Sequence, residues 1–489
     1  MANHPNILWI CADQQRADTI HALGNPVIRT NTLDKMISEG CAFANTYCQS
    51  PVCTPSRASF LTGRYPKTTR VNRNGNEYFP ADETLVTKLF ADYGYDCGLV
   101  GKFHLSAAEG IVEKRCDDGY RFYEWSEHPN DDWETGHDYQ DWLKKQGINW
   151  DDYYCLKSGD QSSSDNPWKQ PLPAGKGGMM SKYHQTTWAF TRAKDFITGD
   201  HGGKPWLLSI NIFDPHPPYD PPKEYRDRMD VDKMPLPRWR DGELDGKPEY
   251  YRWDYENGSQ GGTGPCAKDL TDQQKKQNVA DYYAQIEHID DRLADLFAAL
   301  EEAGELENTI VLYHSDHGEM NGDHGLYWKG AYSYEQLLHV PMIWKWKGRI
   351  CENLVSTALV ELVDIAPTLL DLAGFEIPYY MQGKSLKGIL TGEKDPSHHK
   401  DAIHCEYYYA MKGIHEYYIS IYYDGKYKIA VNHTEPISEL YDLVNDPDEY
   451  VNLWNKPEYA EIQMEYLKKD FDLTTMCTMD PKPRMIKYF

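Results

Sequence analysis

Asn6-Ile-Leu-Trp-Ile-Cys-Ala-Asp13-Gln14 holds the pattern on which the fold turns. An apolar run stops abruptly at a carboxylate and an amide. A strand buried on both faces reads as an unbroken apolar run, because neither face meets water. The pattern recurs along the chain. The run from Asp96 to Val100 is followed by Lys102 and His104, that from Trp206 to Phe213 by Asp214-Pro-His216, and that from Thr309 to His314 by Asp316-His317. In open α/β sheets, sites form outside the carboxyl ends of the strands. If the four runs are parallel neighbours, their polar ends converge on one edge of the sheet.

Amphipathic segments separate the runs, the alternation of an α/β sheet covered by helices. The clearest helix is expected over about 271–303, where Val279, Tyr282, Ile286, Ile289, Leu293, Leu296 and Leu300 share one face. Thr271 and Gln274 form a capping box at its start, and Gly304 ends it. A second helix is expected from Asp364 to Ala373, closed by Gly374. Residues 124–182 and 217–268 are rich in Asp, Gly, Pro, Trp and Tyr with little periodicity, and they read as insertions that wall a site. Beyond 383–397 the character changes. Tyr/Ile runs over 402–431 predict a small antiparallel sheet, with a polar helix at about 457–470. The expected division is a catalytic α/β domain over 1–390 and a C-terminal α+β subdomain over 391–489.

The 51 Lys and Arg against 76 Asp and Glu give a net charge of −25, which repels nucleic acid and anionic membranes. A site for an anionic substrate therefore needs its own cluster of cations. No apolar run reaches the length of a membrane span. The first residues show neither the basic start nor the long apolar stretch of a secretory signal, so a cytoplasmic location is expected. Eleven cysteines without regular spacing do not form a disulfide framework.

Asp13, Gln14, Asp316 and His317 together offer two carboxylates, an amide oxygen and an imidazole. That mostly-oxygen set suits a hard divalent cation, Ca²⁺ first, with Mg²⁺ or Mn²⁺ as alternatives. His314 and His324 flank the last pair, but Gly318, Gly322 and Gly325 make 316–325 a loop without the helical HExxH spacing of a zinc site.

The segment Cys53-Thr-Pro-Ser-Arg57-Ala-Ser-Phe-Leu-Thr-Gly63-Arg64 carries the next step. It resembles the signature of the sulfatases of the alkaline phosphatase superfamily, Cys-x-Pro-Ser-Arg followed by Thr-Gly-Arg. Asp13-Gln-Gln-Arg16, Gly101-Lys-Phe-His104, Ser315-Asp-His-Gly318, Gly322-Asp-His-Gly325 and Leu440-Tyr-Asp-Leu-Val-Asn-Asp-Pro447 stand in the family's order, so the resemblance covers almost the whole chain. It implies an alkaline phosphatase-like α/β fold, a large mixed, mostly parallel sheet sandwiched by helices, with a smaller C-terminal antiparallel sheet plus helix.

The resemblance also implies a chemistry. A separate maturation enzyme would oxidise Cys53 to formylglycine, whose hydrate is a geminal diol. A thiol attacking sulfur would leave a stable adduct, whereas the diol leaves a sulfated hemiacetal that expels sulfate. Pro55 suits the first turn of a helix, which puts Cys53 near its positive end. By the same resemblance Asp13, Gln14, Asp316, His317 and Cys53 would hold the metal, and Arg57 would brace it. Lys102 and Lys329 would neutralise the sulfuryl oxygens, with Lys345 and Lys347 as rivals for the second role. His104 would take a proton from the diol, and His216 would protonate the leaving alcohol. Gln14 and His317 depart from the commoner pattern, which has aspartate and asparagine there. Those variants occur in uronate-2-sulfatases and phosphonate monoester hydrolases.

The expected activity is hydrolysis of a sulfate monoester of a small saccharide. One alternative is a phosphonate or phosphate ester hydrolase on the same scaffold. Another is a non-catalytic binder of sulfated sugars in which Cys53 is never oxidised.

Overall fold

Among the described residues, the large sheet has eight strands in the order β4-β3-β5-β1-β6-β7-β2-β8. These are β1 (Asn6–Ala12), β2 (Cys41–Tyr47), β3 (Asp96–Gly101), β4 (Phe122–Trp125), β5 (Trp206–Ile212), β6 (Thr309–Ser315), β7 (Met342–Lys345) and β8 (Leu354–Glu361). The computed structural model describes residues 4–106, 111–128, 136–148, 179–411, 413 and 415–478. Within the sheet β7 runs antiparallel to both its neighbours, β6 and β2, and the other pairings are parallel.

The four strands expected from the apolar runs are consecutive neighbours, β3-β5-β1-β6, and all are parallel. Ala12 sits level with Ile212 on one side and Ser315 on the other, while Gly101 sits level with Asn211. Their carboxyl ends therefore share one edge, which is where the polar residues collect.

Burial on both faces explains the unbroken runs. Ile7, Trp9 and Cys11 of β1 join a core with Ala58, Phe60 and Leu61 of the helix Cys53–Thr62 and with Leu369 and Leu370 of the helix Ile365–Leu372. Leu8, Ile10 and Ala12 point the other way. They pack with Trp188 and Phe190 of the helix Gln185–Ile197 and with Ile289, Leu293 and Leu296 of the helix Asp272–Glu302. Each buried Leu or Ile side chain contributes roughly 1.5–3 kcal/mol, so one face of one strand already outweighs any single polar contact at its end.

The capping box of the long helix is present, with Thr271 and Gln274 bonded reciprocally. The smaller sheet is antiparallel throughout, in the order β12-β11-β10-β9. Its strands are β9 (Ile403–Tyr408), β10 (Tyr418–Tyr423), β11 (Tyr427–Asn432) and β12 (Glu439–Asp442). Its helix, Ala460–Cys477, runs further than expected, because Cys477 is buried against Tyr65 and Val363 from distant parts of the chain. The stretch 217–268 is not wholly irregular, since it carries the helices Lys223–Arg226 and Glu249–Asn257. Of the other expected insertion, 129–135 and 149–178 lie outside the described residues. No helix among the described residues is long and apolar enough to cross a membrane.

Candidate active site

Cys53 is the first residue of a ten-residue helix that is buried along its whole length. Pro55 lies in the first turn, where its missing N–H costs no intrahelical bond. The helix places Cys53 against the strand edge. Its Sγ lies 2.8 Å from Lys329 Nζ, 3.1 Å from His317 Nε2 and 3.6 Å from Asp13 Oδ1, with Lys102 Nζ at 3.9 Å. Burial, then the Asp13 carboxylate, pushes the thiol up to about 12. As a thiol it is therefore a protonated, poor nucleophile at neutral pH.

One turn along the helix, Arg57 reaches the same point with no solvent exposure. Its Nε donates to Asp316 Oδ2 at 2.9 Å, and its Nη2 lies 3.4 Å from Asp13 Oδ2. Lys102 Nζ is 2.7 Å from the same Asp13 oxygen. Burial opposes ionisation of Asp13, but Lys102, Arg57 and Lys329 outweigh it and hold the carboxyl well below the usual range. Three buried cations, Arg57, Lys102 and Lys329, thus offset the acidic character of the chain locally.

Close backbone approach puts Lys102 in place. Gly101 has φ +98°, and a Cβ there would fall 2.0 Å from Asn211 O. Only glycine lets Lys102 N donate to Asn211 O at 2.9 Å while Asn211 Nδ2 donates to Lys102 O at 2.7 Å. Gln14 and His104 also sit at positive φ, 69° and 57°, the kind of backbone strain that concentrates at functional sites.

The histidines divide by what their ring nitrogens touch. His317 Nδ1 donates to Gly318 O at 2.8 Å, which leaves Nε2 with a lone pair facing Cys53. Burial lowers its pKa to about 4. His216 Nδ1 donates to Pro217 O at 2.6 Å, and its Nε2 lies 2.9 Å from Lys329 Nζ. His104 is buried with neither ring nitrogen hydrogen-bonded. Burial holds both His104 and His216 well below the ordinary histidine range.

Asp13, Cys53, Asp316 and His317 each bring one ligand atom within 4.8 Å of the others, all of them buried. Gln14 Oε1 shares Lys329 Nζ with Cys53, at 3.0 Å. The donors are oxygen-rich and one imidazole is correctly set as a lone-pair ligand, so the residues present fit a divalent cation. The rival readings separate cleanly. His314 accepts from Trp9 Nε1 at 2.7 Å inside the core, and His324 pairs with Glu243 at 2.8 Å. Lys345 and Lys347 pair with Glu39 and Glu307, away from Cys53.

Three carboxylates of the site escape a reading of the sequence. Glu127 lies 3.1 Å from Lys102 Nζ, and burial notwithstanding, Lys102 keeps it well below the usual range. Glu319 accepts from Gln14 Nε2 and from Trp328 N, tying the first strand end to the segment bearing Lys329. Glu113 accepts the backbone N–H of His104, Leu105 and Ser106, and burial raises it to about 7. Glu127 does follow a strand, β4, as the other site residues follow theirs. That strand is too short to stand out.

A family model described as Sulfatase matches residues 5–375, and one described as N-sulphoglucosamine sulphohydrolase, C-terminal, matches 322–475. An arylsulfatase of Clostridium perfringens is 33% identical over 481 residues, covering 95% of this chain and 93% of that protein. An N-acetylglucosamine-6-O-sulfatase of Bacteroides thetaiotaomicron is 26% identical over 503 residues, covering 95% and 85%. Among solved structures, a phosphonate monoester hydrolase of Agrobacterium radiobacter has a TM-score of 0.79 at 22% identity, covering 97% and 96%, a likeness of fold alone. Family membership implies a formylglycine and a divalent metal. The chain belongs to the sulfatase family and is a sulfuric ester hydrolase.

Proposed function

We propose that the chain removes sulfate from a small sulfated saccharide, with Cys53, oxidised by a maturation enzyme, as the reacting residue. The carrying observation is the placement of Lys329, His317 and Asp13 around one sulfur atom at the N-terminus of a buried helix. The relative named for N-acetylglucosamine 6-O-sulfate supports a sugar substrate.

Formylglycine made from Cys53 would supply a hydrated aldehyde oxygen as nucleophile, and a divalent cation, Ca²⁺ by the oxygen-rich donor set, would supply Lewis-acid polarisation of a sulfuryl oxygen. Asp13, Gln14, Asp316 and His317 would hold that cation. Arg57 aligns the two carboxylates through its fork and helps to hold Asp13 ionised. Lys102 and Lys329 stabilise charge on the sulfuryl group, an effect strengthened by exclusion of water. His216 presents an Nε2 lone pair to the Lys329 ammonium, so the pair holds between them the proton that the departing sugar oxygen needs. His104, neutral and unpartnered, is available to take a proton on the opposite side of the reaction.

The test has two parts. Mass analysis of the Cys53 peptide from protein made with a maturation enzyme should show exchange of the thiol for an aldehyde. Defined sulfated mono- and disaccharides should then release sulfate faster than an aryl phosphonate monoester releases its alcohol. A large preference for the phosphonate would overturn the reading.

A further inference from the structure

A second group of buried ligand-type side chains lies behind the end of β5, and no step above uses it. One ring nitrogen each of His184 and His288 and a carboxylate oxygen of Asp214 lie within 4.8 Å of one another, on residues no more than 2% exposed. Asp214 follows β5, His184 caps the helix Gln185–Ile197, and His288 stands within the helix Asp272–Glu302. Those two helices cover the face of the sheet opposite the Cys53 helix, and the group shares no residue with the Cys53 centre.

The polar contacts leave ligand positions open. Asp214 accepts from Gln285 Nε2 at 3.1 Å through Oδ1 and from Thr186 Oγ1 through Oδ2, so each oxygen keeps a lone pair. His288 Nε2 lies 2.9 Å from Thr187 Oγ1 and 3.3 Å from Ser181 Oγ, and its Nδ1 has no hydrogen-bond partner among the described residues. With the Nε2 proton given to Thr187, Nδ1 is a bare lone pair, the tautomer a metal ligand needs. His184 Nδ1 accepts a long 3.3 Å bond from Thr186 N, while its Nε2 is unpartnered. That Nδ1 stands 3.6 Å from Asp214 Oδ2. The gap is too wide for a hydrogen bond and close to the spacing of two atoms that share one ion at about 2.0–2.2 Å from each.

Charge points the same way. Among the described residues Asp214 has no lysine or arginine partner, and burial pushes its carboxyl up. Its charge adds to the burial that raises Asp220, a neighbour whose Oδ2 is also unpartnered. Arg228 and Arg292, which act on His288, are paired with Asp291 and Asp295. Unpaired buried nitrogens and under-compensated carboxylates are costly, and one bound cation relieves both.

We propose that His184, Asp214 and His288 bind a second divalent ion, of transition-metal type and best Zn²⁺, apart from the Cys53 centre. Two imidazoles and one carboxylate are a zinc ligand set, whereas the oxygen-rich Cys53 centre suits a harder cation. The ion anchors a strand end on which two site residues depend. His216 follows Asp214 by two positions, and Asp214 O accepts from Asp13 N at 3.2 Å.

The test uses the full chain made without a maturation enzyme, so that Cys53 stays a thiol, and folded with excess Ca²⁺ and about two equivalents of Zn²⁺. After a brief EDTA wash and gel filtration, elemental analysis of wild type should find about one zinc per chain. X-ray absorption should show nitrogen and oxygen ligands at about 2.0–2.2 Å and no sulfur. Cys53→Ser should keep the zinc, and His288→Gln and Asp214→Asn should each lower its retention by at least about tenfold. Wild type that retains no zinc overturns the proposal. So does a zinc–sulfur distance of about 2.3 Å, which places the ion at Cys53, and so does full retention by both ligand variants. Should the variants fail to fold, wild type decides alone: zinc that survives the wash with two imidazole ligands supports the site, and zinc stripped by the wash refutes it. None of these readouts uses sulfate release, so the sulfatase reading is tested separately.

Discussion

Lys329 Nζ lies 2.8 Å from Cys53 Sγ across 276 residues of chain, and the same ammonium lies 2.9 Å from His216 Nε2. One lysine therefore faces both the reacting residue and the expected proton donor to the leaving group. His216→Gln should consequently hurt poor leaving groups most. Its kcat should fall by about 10²–10³ on a sugar sulfate and by less than about tenfold on 4-nitrophenyl sulfate, whose phenolate needs no proton. Equal losses on both esters would remove the proton-transfer role.

Cys53 as a thiol should be inert. With its pKa pushed up to about 12 by burial, the thiolate is scarce at pH 7.5. Protein made without a maturation enzyme should resist iodoacetamide at Cys53 under native conditions and show no turnover. Fast alkylation of the native thiol would contradict the burial argument.

Arg57 should be a stability determinant as well as a site residue. Its guanidinium faces two fully buried carboxylates, Asp13 and Asp316. Arg57→Ala removes the cation paired with Asp316, while Asp13 keeps Lys102, and urea unfolding should report a loss of about 3–5 kcal/mol. Arg57→Lys should recover only part of it, because an ammonium cannot reproduce the fork.

Metal removal should separate activity from folding. Exhaustive chelation should abolish sulfate release, and Ca²⁺ should restore it better than Mg²⁺ or Mn²⁺, read as initial rate against added metal. Arg57 and Lys102 still screen Asp13 and Asp316 without the ion, so the melting temperature should fall by no more than about 5 °C.

Acid should loosen the fold through buried histidines that serve no step of the reaction. Burial lowers His137 from 6.5 to about 4 and holds His288 well below its ordinary value. Both bind protons better unfolded than folded, so the stability they contribute is complete above pH 6.5 and is lost below it, for His137 as pH falls toward about 4. His137 alone accounts for about 3 kcal/mol of that loss. His137→Gln should flatten the decline in chemical-denaturation midpoint between pH 6.5 and 4.5.

The chain's order of residues determined more than a family signature. β1, β3, β5 and β6 are legible because a strand covered on both faces has no polar side to interrupt its run. Their polar ends name Asp13, Gln14, Lys102, His104, His216, Asp316 and His317 without reference to structure. β2 and β8, partly exposed along their length, and the short β4 and β7 lack that signature, so half the sheet stays unreadable.

Only the tertiary structure decided which carboxylates serve the site and what surrounds it. Glu113, Glu127 and Glu319 look like any surface glutamate in sequence, and each acquires its role from a buried contact that chain spacing does not encode. The cluster of His184, Asp214 and His288 likewise joins one strand end to two helices far apart in the chain. Local pattern reports what each strand buries. The charge met by Cys53 is a sum over strand ends and loops, and that sum exists only once the four parallel strands lie side by side.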